Sequence, residues 1–460
     1  MTPIGANSPS APDPDDLTPA AGVAAALAAS GIVGLAVTVV DNSGVARVKG
    51  VPVARLTKAV ATGIGAPPVF DAFGFDGSIA SVGSPIGDLR LVPDLDAVVP
   101  LAGQPGWAWA PADRFTVDGS PYPGCQRSFA RRMSDRAAEV GVKVSMAFET
   151  EWVVDAGTGT ELVPPTTGPA YGMGCLVDLS AYAKDLLDAF AAEGVQVEQI
   201  HPEYAPAQME LSVSPLDPVG AADRVVLVRQ TLRAVSANHG YRVSLSPAIS
   251  PGGVGSGAHL HLSIWTGDDN LFARGHGAMP AVGEAWLAGI LDALPALLAV
   301  GAPSVASYLR LQPQRWAAPW RCWGAENREA ALRVIAGSAS TGGAAANAEL
   351  KVLDASSNPY LVVGAVIAAG LDGIERDLRL PPEVTVDPAG LDEAARSEMG
   401  IARLPTSLSV ALDAFDASAV IREAMGPSLA DTWSAVRRSE VDRFADATEE
   451  DIALASRWVW

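Results

Sequence analysis

Two glutamates one residue apart stand in an otherwise apolar part of the chain. β-Branched and aromatic residues surround Glu149 and Glu151 between Val144 and Val154, and they predict a β-strand. Residues i and i+2 of a strand point to the same face, so the two carboxylates are expected side by side. Like charges at that spacing repel unless a cation lies between them. The segment is therefore either an edge strand with its acidic face in water or half of a site for a hard metal ion.

A second pair of glutamates flanks a turn. Glu203 ends one predicted strand and Glu210 lies in the next, with proline and alanine between them. A hairpin of this kind can bring the two carboxylates together. Each glutamate alone is equally well explained as a solvated charge beside a turn.

Two of the five histidines alternate along one predicted strand. His259, His261 and Ser263 occupy positions i, i+2 and i+4, so their side chains share a face. Gly255 and Gly257 precede them and would let the backbone approach a ligand closely. A lone histidine on a strand is usually structural, but this pattern is more specific, and neutral imidazole is a good metal ligand or phosphate partner.

Three arginines lie near a loop that is rich in tryptophan: Arg310, Arg328 and Arg333. The planar fork of a guanidinium suits carboxylates and phosphates. The alternative is that these arginines form surface ion pairs with Glu326 and Glu329.

Glu349 and Lys351 form a fifth group, again at i and i+2 of a predicted strand, and an Asn-Pro-Tyr turn follows. Each of the five groups alone could be explained by ordinary structure. Their order and form together resemble one family, glutamine synthetase. That family has Glu-x-Glu on a strand, a glutamate pair around a turn, and Gly-x-Gly-x-His-x-His-x-Ser. An arginine before a flap loop, Asn-Arg-x-x-x-x-Arg, and Glu-x-Arg-x-x-Asp before Asn-Pro-Tyr come after these.

The resemblance implies a role for each group. It implies two divalent metals, one held by Glu151, Glu203 and Glu210, the other by Glu149, His259 and Glu349. Five carboxylates and one imidazole suit Mg²⁺ or Mn²⁺ rather than zinc. It places ATP against Glu198, His261, Ser263, Arg328 and Arg333. It places L-glutamate or the transferring phosphoryl group against Gly255, Arg310, Arg328 and Lys351, and it gives Arg310, Arg328 and Asp76 catalytic roles, Asp76 by way of a neighbouring subunit.

The flap loop departs from the family pattern. Family members that use ammonia carry a glutamate in the flap, which binds ammonium and takes its proton. Counted from Arg310 without gaps, that position is Trp316, which cannot accept a proton but can hold an amine by a cation–π contact. Val254 and Lys351 also replace an asparagine and an arginine of the family.

These departures predict an ATP-dependent ligase that joins the γ-carboxyl of glutamate to an organic amine, either a polyamine or an ethanolamine-type amino-alcohol. Trp316 would then lie in the substrate pocket. The alternatives are a glutamine synthetase that uses ammonia and a catalytically inactive structural or regulatory homologue.

Composition excludes some partners. The 460 residues carry a net charge of −20, which disfavours nucleic acid and anionic membranes. Cys125, Cys175 and Cys322 are widely spaced, which argues against a disulfide framework and indicates a reducing cytoplasm. Residues 20–40 hold no charge, but their glycines predict a helix to about Ser30 and then a strand rather than a membrane span.

The elements that position these groups predict an α+β fold, because short turns join many sequential strands. We expect a mobile leader over residues 1–16, a small N-terminal β-grasp-like domain over 17–120, and a large catalytic domain of the glutamine synthetase type over 121–460. The catalytic domain is expected to contain an antiparallel sheet flanked by helices. The resemblance further implies a homo-oligomer, a dodecamer of two hexameric rings.

Overall fold

The computed structural model describes residues 17–82, 86–273, 279–337 and 340–460, so the predicted leader lies outside the described residues. Its strands are β1 (Gly34–Val40), β2 (Ala46–Pro52), β3 (Ile64–Ala66), β4 (Leu89–Pro93), β5 (Val99–Pro100), β6 (Trp107–Thr116), β7 (Lys143–Phe148), β8 (Thr150–Asp155), β9 (Val197–Pro202), β10 (Gln208–Val213), β11 (Arg242–Ser244), β12 (Leu260–Thr266), β13 (Asp269–Asn270), β14 (Trp320–Ala325), β15 (Ala330–Ile335), β16 (Asn347–Leu350) and β17 (Ala402–Arg403). Its α-helices are α1 (Thr18–Ala29), α2 (Leu56–Thr62), α3 (Gln126–Glu139), α4 (Met173–Asp178), α5 (Ser180–Ala192), α6 (Pro218–Asn238), α7 (Ala281–Gly301), α8 (Ser307–Arg310), α9 (Pro359–Glu375), α10 (Glu393–Glu398), α11 (Leu408–Ala417), α12 (Ala419–Met425), α13 (Pro427–Arg443) and α14 (Glu449–Ser456). Four short 3₁₀ turns complete the helical elements: Val53–Arg55, Pro68–Ala72, Gly342–Ala345 and Pro388–Gly390.

The N-terminal strands form one sheet in the order β2-β1-β6-β4-β3, with β5 beside β6. Its own core contains Leu35 and Val37 of β1 together with Leu27 of α1 and Leu56 of α2. The uncharged stretch over residues 20–40 is therefore divided between α1 and β1, as predicted. The sheet ends at Thr116, and a domain boundary near residue 120 stays a prediction.

Two further sheets carry the candidate catalytic and metal-binding residues. One has the order β11-β8-β10-β9, and the other has the order β13-β12-β16-β15-β14-β17, with β7 on the free side of β12. Every pair in these two sheets is antiparallel except β14 and β15. The predicted antiparallel sheet is thus confirmed for most pairs, and β14–β15 is a correction. The connection between β14 and β15 is short, and a short connection normally predicts an antiparallel hairpin. Here Glu326 has a φ of 52°, and the chain returns to the start of β14 before β15 begins, so the two strands pair in parallel.

The prediction of one continuous strand across residues 144–154 is wrong, because the strand is interrupted at its centre. β7 ends at Phe148 and pairs with β12, whereas β8 begins at Thr150 and pairs with β10 and β11. Glu149 is the junction between the two sheets. Its backbone N–H donates to the carbonyl of His259 (2.9 Å), and that of Glu151 donates to the carbonyl of Gly257 (3.2 Å). The loop before β12 therefore follows the junction and holds both sheets to it.

Buried helices support the catalytic sheets. Helix α7 packs against α9, and both are largely buried. Among the described helices, α7 alone is long and apolar enough to cross a membrane, but 67% of its apolar window is buried inside the fold. Its composition is accordingly explained by its position in the core.

A buried arginine ties the N-terminal sheet to the helices. Arg127 of α3 forms ion pairs with Asp94 (2.7 Å), with Asp113 of β6 (3.0 Å) and with Asp223 of α6 (2.7 Å). Tyr360 of α9 also donates to Asp223 (2.7 Å). Removing one partner from such a network leaves an uncompensated buried charge, so the contacts fix the two parts of the chain against each other.

Candidate active site

Carboxylates from both sheets meet at the β7–β8 junction. Glu210 of β10 lies directly opposite Glu151 of β8, and His201 of β9 lies opposite Glu210. In the other sheet, Glu349 of β16 lies opposite His261 of β12. Cross-strand neighbours share a face, so the registers of the two sheets turn these side chains toward one another.

His259 is the contact point between the two sheets. Its Nδ1 donates to Glu149 Oε2 (3.0 Å) and lies 3.4 Å from Glu349 Oε1. Its Nε2 lies 3.7 Å from Glu151 Oε1. The structure thus brings Glu149, His259 and Glu349 together, the set that the sequence analysis assigned to one metal, and it adds Glu151 beside them.

The second predicted set contains a histidine that the sequence analysis missed. His201 Nε2 lies 3.2 Å from Glu210 Oε1, and its Nδ1 lies 3.7 Å from Glu203 Oε1. The signal was present in the sequence, because His201 and Glu203 stand at i and i+2. Possible ligand atoms of His201, Glu203 and Glu210 lie within 4.8 Å of one another. Glu151, which was predicted to share a metal with Glu203 and Glu210, contacts His259 instead.

His261 stands closer to the carboxylates than its predicted nucleotide role implied. Its Nε2 lies 3.5 Å from Glu149 Oε2, and its Nδ1 donates to Asn347 Oδ1 (2.9 Å). Atoms of Glu149, His261 and Glu349 also lie within 4.8 Å of one another. His261 therefore borders both the carboxylate cluster and the neighbouring cavity.

The electrostatics of the cluster fit divalent cations. Although burial acts against it, hydrogen bonds from His259 and His261 hold the pKa of Glu149 below its usual value. Burial raises the pKa of Glu210 strongly, and the hydrogen bond and charge of Glu149 raise it further. The two carboxylates therefore repel each other when both are charged. Hard divalent metals prefer such oxygen donors and would relieve that repulsion.

Three cationic side chains border the cluster. Arg333 Nη1 and Lys351 Nζ each lie 3.0 Å from an oxygen of Glu349. Arg310 Nη2 donates to the carbonyl of Lys351 (2.9 Å) and to His259 Nε2 (3.2 Å). Arg310 Nη1 is buried without a hydrogen-bond partner in the described chain, so one donor remains for an anionic ligand. Lys351 follows the end of β16, whereas the sequence analysis placed it inside the strand.

The glycine loop makes room for these side chains. A Cβ on Gly257 would lie 2.5 Å from His259 Nε2 and 2.8 Å from Arg310 Nη2. A Cβ on Gly255 would overlap the carbonyl oxygen of Pro247. Gln208, the first residue of β10, donates to Glu151 Oε2 and to the carbonyl of Gly255, both at 3.1 Å. Gln208 had no predicted role, and in the structure it links the loop to the cluster.

A cavity of about 950 Å³ opens beside the cluster. Its walls include Glu149, Glu198, His261 and Ser263. Three of the five residues predicted to bind ATP therefore share one cavity, and its volume is at the upper end of the usual range for small-molecule sites. Arg333 reaches the cluster from outside the cavity lining. Arg328 is exposed and forms no ion pair with any residue that the structure describes.

The flap loop lies beside Glu203. Trp316 is exposed and its ring stands 5.0 Å from that of Tyr204, edge to face. The backbone N–H of Tyr204 donates to Glu203 Oε2 (3.0 Å). Gln314, Trp316 and Ala318 all have φ between 50° and 59°, a region that costs energy for residues other than glycine. The flap is thus held in a specific conformation next to the cluster.

A tyrosine on the other side of Glu203 was also missed. The backbone N–H of Tyr171 donates to the carbonyl of Glu203 (3.3 Å), and its ring lies near that of His201. Burial and the charge of Glu203 raise the pKa of Tyr171 well above its usual value. Glu203 is therefore flanked by two aromatic side chains, Tyr171 and Tyr204.

Asp76 is remote from these contacts. It forms an ion pair with Arg443 of α13, and its Oδ1 accepts from the backbone N–H of Ser78 (3.0 Å). No contact joins it to the carboxylate cluster within the described part of this chain.

Comparisons with known proteins find relatives along most of the chain. Residues 123–453 match the family described as glutamine synthetase, catalytic domain. The chain is 50% identical over 454 residues to the gamma-glutamylpolyamine synthetase GlnA3 of Streptomyces coelicolor, covering 97% of each chain. It is 30% identical over 395 residues to a glutamine synthetase of Pyrococcus abyssi, covering 84% of this chain and 85% of the other. A crystal structure of a glutamine synthase homologue superposes with a TM-score of 0.82 at 32% identity, covering 93% of this chain and 99% of that one.

Replacing Glu210 with alanine should abolish turnover and weaken Mn²⁺ binding. The variant loses the carboxylate that joins His201 to the Glu149 side of the cluster. Even residues that only orient metal ligands cost about 10–100-fold in metal affinity, so we expect a loss of at least about 100-fold. Calorimetric titration with Mn²⁺ measures it, and Glu139→Ala at the exposed end of α3 is the control. Unchanged Mn²⁺ affinity in Glu210→Ala would contradict the assignment.

Gly257→Ala should lower catalytic efficiency much more than stability. The added methyl group displaces His259 and Arg310, and misplacement by about 1 Å can cost about 100-fold in rate. The matched control is Gly253→Ala in the same loop, whose Cβ would lie 3.1 Å from the Ser250 hydroxyl and 3.6 Å from the Ser250 carbonyl oxygen. Steady-state kinetics and thermal unfolding separate the two effects. Equal kcat/KM in the two variants would argue against the packing described here.

Proposed function

The chain belongs to the glutamine synthetase family, and we propose that it joins the γ-carboxyl of L-glutamate to an organic amine at the expense of ATP. The product is a γ-glutamyl amide, and ADP and phosphate are released. As a member of this family it is an ATP-dependent ligase that forms C–N bonds.

One observation carries the choice of an amine over ammonia. The flap residue that packs on Tyr204, next to Glu203, is Trp316 and not a carboxylate. An indole and a phenol offer apolar area and π-faces to a carbon chain or an alkylammonium group. Ammonia would use neither, because it has no carbon chain to bury.

The similar proteins narrow the choice of acceptor amine. Gamma-glutamylation of a polyamine is the activity named for the Streptomyces coelicolor relative, and we propose a polyamine as the acceptor. The net charge of −20 supports a polycation, because a negative surface attracts one. An ethanolamine-type amine is the second member of the same chemical class.

The proposed reaction must first activate the γ-carboxylate of glutamate. A carboxylate is a poor acyl donor, because it has no good leaving group. Transfer of the γ-phosphoryl group of ATP to the γ-carboxylate gives an acyl phosphate, from which phosphate leaves when a neutral amine attacks the carbonyl carbon. The amine gives up one proton as the amide forms, so atoms and charge balance.

The residues of this chain bind and neutralise the reacting groups. We assign the free Nη1 donor of Arg310 and the ammonium of Lys351 to glutamate and to the phosphoryl oxygens, with Arg328 reaching the same groups from the exposed side. Glu198, His261 and Ser263 are assigned to the nucleotide in the adjoining cavity, with Arg333 at its edge. The flap excludes water, which would otherwise hydrolyse the acyl phosphate.

Two divalent metals, Mg²⁺ or Mn²⁺, are assigned to the carboxylate cluster. The proposed ligands are Glu149, Glu151, Glu203, Glu210, His259 and Glu349, with His201 beside the second group. When bound, such metals supply positive charge to the phosphoryl oxygens.

We also propose that the protein assembles into a homo-oligomer, a dodecamer of two rings. The position of Asp76 supports this assembly, because its carboxylate lies against Arg443 and away from the cluster of its own chain. A residue so placed is available to the site of a neighbouring subunit.

Phosphate release in the presence of glutamate and ATP tests the proposed function. The acceptor panel contains ammonium, ethanolamine, 1,4-diaminobutane and spermidine, each at the same concentration. We expect the highest kcat/KM with the di- and polyamines, because the flap provides apolar area for their carbon chains. Turnover with ammonium alone would contradict the proposal, and the absence of turnover with every acceptor would favour an inactive homologue.

Trp316→Glu should raise activity with ammonium and lower activity with amines. The substitution adds a carboxylate beside Glu203 and removes the indole that packs on Tyr204. Trp316→Phe is the matched control, because it keeps an aromatic face without adding charge. Competition between ammonium and 1,4-diaminobutane measures the ratio of the two kcat/KM values. An unchanged ratio in Trp316→Glu would count against the flap as the selector.

A further inference from the structure

Glu329 is a half-buried carboxylate under the flap, and its charge is incompletely matched. It lies between β14 and β15, and its Oε1 accepts from the backbone N–H of Trp316 (3.2 Å). Its Oε2 is buried without a hydrogen-bond partner, and Glu329 forms no ion pair with the residues that the structure describes. The surface ion pair considered in the sequence analysis is therefore realised at Glu326, which pairs with Arg333 (2.7 Å), and not at Glu329.

The charges around Glu329 leave room for a cation. Burial raises its pKa and the charge of Asp387 raises it further, whereas Lys351 lowers it. The Lys351 ammonium lies 3.0 Å from Glu349, so it acts on Glu329 from a longer distance and neutralises it only in part. A buried carboxylate oxygen without a partner costs free energy that a bound ammonium group would recover.

The contacts of the flap connect Glu329 to Glu203 through an aromatic pair. Glu203 accepts from the backbone of Tyr204, whose ring packs on Trp316, whose backbone in turn donates to Glu329. Each of the two residues that carry the aromatic rings thus donates a backbone hydrogen bond to a carboxylate. A diamine has the same pattern, with a cationic or nucleophilic nitrogen at each end and an apolar chain between them.

We propose that Glu329 binds the distal ammonium group of a di- or polyamine whose other nitrogen attacks the activated glutamate. This inference rests on the proposed function and names the residue that distinguishes a diamine from a monoamine. The carbon chain would lie along Trp316 and Tyr204, and the unreacted ammonium would donate to the free oxygen of Glu329. Its binding requires the flap to move, because that oxygen is buried when the flap backbone covers it.

The test compares two acceptors that differ only in the distal charge, 1,4-diaminobutane and n-butylamine. Glu329→Gln keeps an oxygen that can accept from the Trp316 backbone, so the flap contact is preserved. Loss of a hydrogen bond to a charged group typically costs about tenfold or more in affinity, so we expect kcat/KM for the diamine to fall by about that factor. The value for n-butylamine and the KM for glutamate and for ATP should change less than about twofold, because neither forms the contact.

Two further variants keep the result interpretable. Glu423→Gln changes the net charge equally from an exposed position on α12 and should leave both acceptors unaffected. Glu329→Asp retains the charge on a shorter side chain and should keep part of the preference for the diamine, which provides a second reading if the glutamine variant folds poorly.

The outcomes separate this inference from the proposed function. Turnover of the diamine by the unmodified protein, with an equal loss for both acceptors in Glu329→Gln, would overturn the role of Glu329 and leave the ligase activity standing. A protein that turns over neither acceptor would refute the proposed function, and the role of Glu329 would fall with it. A selective loss for the diamine supports both.

Discussion

The concentration of buried negative charge at the junction of two sheets is the constraint on which the rest of the site depends. Glu149, Glu151, Glu210 and Glu349 are carried by neighbouring strands, and their repulsion is relieved by few cations within the chain. His259 contacts three of these carboxylates, and Arg333 and Lys351 are both engaged by Glu349. The arrangement remains short of positive charge, which is why the donor set fits divalent metals and why burial and the charge of Glu149 raise the pKa of Glu210.

Positive charge that an anionic ligand could use lies beside the acidic cluster. Arg310 is buried between His259 and the backbone of Lys351, with one donor still free, so its charge is aimed by packing rather than by a carboxylate partner. The glycine at position 257 is needed because any side chain there would displace this arginine. Positive charge is therefore preorganised at the border of the acidic cluster, where an anionic ligand could accept from it.

Local patterns predicted the strands, and with them much of the cluster. Alternation placed Glu149 and Glu151 together, and the hairpin signal placed Glu203 near Glu210, because both depend on geometry within a few residues. The same rule failed to foresee the break at Glu149, since the pairing of β7 and β8 with different sheets depends on distant strands. His201 stands at i and i+2 with Glu203, but its contact with Glu210 depends on cross-strand register. Gln208 was missed because its contacts join it to a distant strand and loop. The parallel pairing of β15 with β14 was missed because Glu326 adopts a positive φ, and the half-buried, unpaired carboxylate of Glu329 depends on how the flap folds over it.

The break at Glu149 has a mechanical consequence. Because β7 belongs to one sheet and β8 to another, the distance between the carboxylates of Glu149 and Glu151 depends on the angle between the two sheets. A small rotation of one sheet against the other, produced by repacking far from the site, would therefore change the spacing of the charged oxygens. Substitutions in the cores of α7 and α9, which touch no substrate, can in this way alter the reaction rate while the set of reacting groups stays intact.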